Sequence, residues 1–176
     1  MARHLQRRIN YPMGSVSSGT MRPEDLIPTF TSELESLAHQ SGIVSGKRRR
    51  DHLKLVREIE AAQDLDADVY YDADEAGYNL ESLFNALGEY AAPYFYFGSH
   101  PGNGADYGFW LSEGWDEEFI SGHQLDKSDM PCSLEVNDLA EVPNWFRGEV
   151  AVVNDHGNVT LYVKTCRTLK KVWAVV

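Results

Sequence analysis

Five carboxylates recur at calcium-loop spacing along DLDADVYYDADE. Asp64, Asp66, Asp68, Asp72 and Glu75 fall at positions one, three, five, nine and twelve of the twelve-residue loop with which an EF-hand surrounds calcium. Oxygen donors at alternate positions suit a hard cation. Position six of such a loop takes glycine for its sharp turn, and here it is Val69, a β-branched residue for which positive φ is costly. Gly77 also falls where the exit helix would run, and there is no second loop to pair with this one. Calcium binding through residues 64–75 is therefore the alternative reading. The leading one is a solvated acidic connection between helices, to which Asp74 adds another charge.

Histidines beside carboxylates are the next candidates. His100 with Asp106, and His156 beside Asp155, could each form the oriented imidazole that a general base requires. Together with His123 they define a second alternative, a small hydrolase or metal-dependent enzyme. No GxSxG or HExxH motif supplies a nucleophile or paired ligands, so no catalytic residue, metal or cofactor is assigned. SHPGNGADYG resembles a phosphate-cradling loop only in its glycines, because it lacks the Lys-Ser/Thr ending and the following helix. It reads as a hairpin turn. Cys132 and Cys166 belong to no ligand spacing and read as ordinary buried or half-buried thiols in a reducing compartment.

Charge is distributed unevenly. Residues 1–63 carry a net +3, residues 64–149 carry nineteen acids against two bases, and residues 150–176 carry +3, for a total of −11. An acidic block of this size attracts cationic partners and repels nucleic acid and anionic lipid. The basic run at 47–50 is expected in water or paired with acids rather than on phosphate. The aromatic YFYF run with Trp110, Trp115, Trp145 and Trp173 is expected in core or interface roles, its surroundings being too negative for stacking on bases.

These residues must be positioned by a folded scaffold, and 43% hydrophobic residues are enough to build one. Residues 1–20 contain no acid and no apolar periodicity, and read as a flexible basic arm; Met21 is an equally good start. Residues 21–176 read as a single α+β domain. Leu26, Phe30, Leu34 and Leu37 mark a first amphipathic helix between Pro23 and Gly42. Leu53, Val56 and Ile59, with Leu55 and Ala62, mark a second, and Asn79 caps a third carrying Leu80, Leu83, Phe84 and Leu87. Strands are expected at 94–97, 107–111, 149–154, 158–164 and 170–176, with Gly157 supplying the positive φ of a tight hairpin. Residues 113–142 form a long acidic connection with room for a short helix. The fold class is α+β, with about three N-terminal helices packed on one face of an antiparallel sheet of about five strands. No apolar run is long enough to span a membrane.

The stretch NLESLFNALGEYAAPYFYFGSHPGNGADYGFW, with VVNDHGNVTLY near the C-terminus, resembles a family of small proteins encoded by phages and prophages of Gram-negative bacteria. The resemblance covers most of the chain after Met21 and carries no catalytic residue or cofactor with it. It implies a phage accessory protein acting in the bacterial cytoplasm by binding a host factor. Combined with the charge pattern, the expectation is a non-enzymatic binder of a basic host surface. The partner would be a nucleic-acid-handling or defence protein, such as a CRISPR or restriction component, blocked by a surface that mimics nucleic acid. Its contact residues would be Asp64, Asp66, Asp68, Asp72, Asp74 and Glu75, followed by Asp116, Glu117 and Glu118.

Overall fold

A computed structural model describes residues 10–40, 42–121 and 133–175, with the side chains of Asp72 and Ser121 outside the description. The chain is α+β and divides into two compact units, Met1–Trp110 and Leu111–Val176.

In the first unit Pro23 opens α1 (Pro23–Gln40), where its fixed φ suits the first turn and its missing N–H leaves no bond unmade. Leu26, Ile27, Phe30, Leu34 and Ala38 are buried along one side of it. Ser45 caps α2 (Gly46–Leu65), its hydroxyl accepting from the Arg48 amide at 3.4 Å. The third expected helix starts earlier than Asn79, as α4 (Asp74–Gly88), and a short α3 (Ala67–Asp72) precedes it. Leu83 and Leu87 of α4 are fully buried, as is Tyr90 just past its end.

These helices close over a three-stranded sheet in the order β1-β3-β2. β2 (Phe95–His100) and β3 (Asn103–Leu111) form the expected hairpin, but only residues 101–102 join them, so most of the glycine-rich stretch read as a long turn belongs to the strands, whose ladder its residues extend. Phe30 stands at the centre of the core. Its ring meets those of Phe84, Phe97 and Tyr107 edge-on, with centroids 5.2, 5.1 and 5.9 Å away, contacts that add about 0.5–1.5 kcal/mol each beyond burial. The third strand, β1 (Gly14–Ser18), falls where a flexible arm was expected. It pairs antiparallel with β3, with Gly14 opposite Phe109 and Ser15 opposite Gly108. Gly108 is required there, since a Cβ on it would lie 2.1 Å from the Gly14 carbonyl oxygen.

The second unit holds α5 (Trp115–Ser121) and a four-stranded sheet ordered β4-β5-β6-β7. β5 (Gly148–Val153), β6 (Val159–Lys164) and β7 (Leu169–Val175) are antiparallel neighbours, close to their expected positions. β4 (Ser133–Val136), inside the acidic connection, joins parallel to β5 and makes the sheet mixed. The β5–β6 turn is held by Asn154, whose Oδ1 accepts from the His156 and Asn158 amides at 3.0 Å each, and Gly157 sits at φ +78°. Phe146, Val150, Leu161 and Trp173 are buried in this unit. The expected sheet of about five strands is thus two sheets totalling seven. Strand-length sequence signals existence without naming a partner, and β1 completes the first sheet from the far end of the chain.

Candidate functional site

The acidic segment 64–75 is helical rather than a loop. α2 runs through Asp64 to Leu65, after which Asp66 is extended at φ −165° and caps α3, its carboxylate accepting from the Val69 amide at 3.2 Å. Asp68 lies within α3, of Asp72 only the backbone at its end is described, and Asp74 and Glu75 form the first turn of α4. Carboxylates at helix N-termini are stabilised by the partial positive charge there. This path corrects the calcium alternative. An EF-hand keeps positions one to nine in a ligand-wrapping loop, whereas here they are divided between two helices and a cap, and no metal-holding group of three occurs among the described residues.

Tyr70 anchors α3. It is buried, and its hydroxyl accepts from Asn79 Nδ2 at 3.1 Å, while burial raises its pKa above the ordinary tyrosine value. On the same segment Leu65, Val69 and Tyr78 are 87%, 64% and 69% exposed, amounts that place them outside the core. Asp64, Asp66, Asp68, Asp74 and Glu75 are exposed too. The described ion pairs use Glu24, Glu35, Glu58 and Glu89, and none uses a carboxylate of this segment. Exposed apolar side chains among acids that enter no described ion pair are therefore the character of residues 64–78.

Asp116, Glu117 and Glu118 occupy the first turn of α5 and are exposed. Their helix is fixed by its other side, where Phe119 is buried and Trp115 approaches Trp173 edge-on at 6.5 Å. The acidic block is thus shared between the units: residues 64–110 hold nine acids and no lysine or arginine, and residues 111–149 hold ten acids and two bases.

The histidine candidates are engaged structurally. His100 Nδ1 accepts from the Gly102 amide at 3.0 Å and its ring stands against Trp110 at 4.7 Å. Asp106 accepts instead from the Ser15 hydroxyl. His156 is exposed in the β5–β6 turn, in the other unit, and His123 lies outside the described residues, as does Cys132. Cys166 is free but exposed rather than buried or half-buried as expected, since it lies in the turn between β6 and β7. The aromatic residues divide: Phe97 and Trp173 are buried, Trp110 donates to the Gly98 carbonyl at 3.1 Å, and Trp145 is 57% exposed.

One polar group in the core escaped the sequence reading. His52 is buried on the row it shares with Val56 and Ile59, while Leu53, expected there, is only half-buried. Its Nδ1 lies 3.0 Å from the Tyr90 hydroxyl, and its Nε2 lies 3.6 Å from a Glu89 carboxylate that Arg48 reaches at 3.5 Å. Burial lowers the His52 pKa, against the pull of Glu89, and burial pushes Tyr90 up to about 12. The 52-56-59 spacing was the available signal, since it puts a histidine in line with two core residues.

Compared with protein families, curated proteins and solved structures, the chain matches nothing. No described helix is long and apolar enough to cross a membrane.

Proposed function

We propose that this chain is a non-enzymatic binding protein that docks on the basic surface of a partner protein through residues 64–78. The supporting observation is the combination of exposed carboxylates that enter none of the described ion pairs with exposed Leu65, Val69 and Tyr78 in one segment. Charge accelerates and orients encounter, and apolar side chains contribute the burial that holds a complex together. A surface selected for solubility alone gains nothing from three exposed large apolar residues. On the resemblance to phage and prophage proteins, the proposed partner is a bacterial host factor in the cytoplasm. A CRISPR, restriction or other nucleic-acid-handling protein fits best, because its cationic groove accepts carboxylates in place of phosphates. Asp116, Glu117 and Glu118 add a second acidic surface to the same task.

The test is capture from a Gram-negative lysate by the immobilised chain, at low and high salt, with the wild type and an Asp64→Lys/Asp68→Lys/Glu75→Lys variant. A basic protein held by the wild type at low salt, released by salt and missed by the variant, is the expected result. Capture indifferent to both salt and charge reversal rules the reading out.

A further inference from the structure

Away from residues 64–78, a hollow of about 570 Å³ opens where β1 and α1 meet, within the size range of about 300–1,000 Å³ typical of small-ligand sites. Met13 and Phe109 line its apolar side, and Ser15, Thr29, Ser32 and Glu33 its polar side. The hydrogen-bond capacity of Ser15 and Thr29 is one-sided, while the exposed Ser32 hydroxyl can donate or accept. The Thr29 hydroxyl donates to the Asp25 carbonyl at 2.9 Å, and the Ser15 hydroxyl donates to an Asp106 carboxylate oxygen at 2.5 Å, so both protons are committed and only lone pairs remain. Glu33 is half-buried and makes no hydrogen bond or ion pair with the described residues. Burial raises its pKa, as expected of a carboxylate lacking a nearby cation.

A site that offers acceptors and a carboxylate, beside an apolar wall, selects a ligand rich in donors. We infer that the hollow binds a small organic cation, a primary ammonium or guanidinium on a short aliphatic stem, with Glu33 as counter-ion and Ser15 and Thr29 as acceptors. Anions are repelled by Glu33 and by Asp106 behind Ser15. Neutral alcohols bring one donor and leave the carboxylate unanswered.

The experiment titrates the full chain with n-butylguanidinium, n-butylammonium and n-butanol while following backbone amide shifts. Saturable shifts at Ser15, Thr29 and Ser32 with both cations, and binding of n-butanol at least tenfold weaker, are expected. Glu33→Gln should weaken the cations at least tenfold without lowering the melting temperature, and Glu33→Asp should recover part of the affinity. Equal binding of n-butanol, cation binding indifferent to Glu33→Gln, or no saturation with any probe overturns the inference. N-acetyl-arginine amide separates the two sources of this chemistry: affinity equal to butylguanidinium assigns the site to an arginine side chain, and a tenfold loss assigns it to a free cation.

Discussion

The two ends of α4 carry acids that meet opposite fates. At its C-terminal end Glu89 is drawn in by Arg48 at 3.5 Å and by His52 at 3.6 Å, beside the fully buried Tyr90. At its N-terminal end Asp74 and Glu75 are exposed and enter none of the described ion pairs. A charge already answered within the chain serves the fold. One that is left unanswered, next to exposed Leu65, Val69 and Tyr78, is available to a partner.

That contrast is open to direct attack. The largest effect belongs to Leu87→Ala, which opens a cavity beneath the C-terminal end and is expected to destabilise the first unit by about 2–5 kcal/mol in chemical denaturation. Tyr90→Phe removes the hydroxyl partner of a buried imidazole and should cost about 1–3 kcal/mol by the same measurement.

Lowering the pH perturbs the same end. Burial holds His52 below its ordinary 6.5, so the folded state favours the neutral ring; Glu89 opposes this, Arg48 reinforces it and Asp51 opposes it. As pH falls through 6.5 the unfolded chain takes the proton first, so this contribution is full above that value and is lost below it. Denaturation midpoints should fall on acidification more steeply in the wild type than in His52→Gln. Equal slopes would remove His52 from the account.

The smallest structural effect is expected from Asp74→Lys/Glu75→Lys, which forfeits favourable charge at a helix start and should change stability by less than about 2 kcal/mol. The same substitutions should nevertheless diminish capture of a basic partner. A variant that loses much stability but keeps its capture would show that the two ends are less separate than their pairing implies.

The helices were legible because their apolar residues repeat at 3.6-residue spacing, and the β5–β6 hairpin because Gly157 marks its turn. α3 was not, since an aspartate-rich run reads as a connection until Asp66 is seen capping it and Tyr70 anchoring it. β1 was equally hidden: GSVSS has one apolar residue, and its strand form depends on β3, far away in sequence. Of the candidate site, the identity of the acids was readable, but their helical setting, their absence from the described ion pairs and their apolar neighbours were not. Exposure of Leu65, Val69 and Tyr78 depends on which helix face the core takes. Glu33 was hidden too, because the hollow it lines with Met13, Ser15 and Val16 depends on β1, a strand the sequence pattern does not reveal.

The pairing of β1 with β3 also constrains the order in which the molecule can be assembled. Ser15 and Asp106 are 91 residues apart, so on a ribosome adding about 5–20 residues per second the first strand waits roughly 5–20 s for its neighbour to be made. The helices of the first unit are all made before β3 and are free to collapse on one another during that interval. The cation-selecting hollow can therefore close only once β3, the last strand of the first unit, has been made, and the newborn chain spends its early life without it.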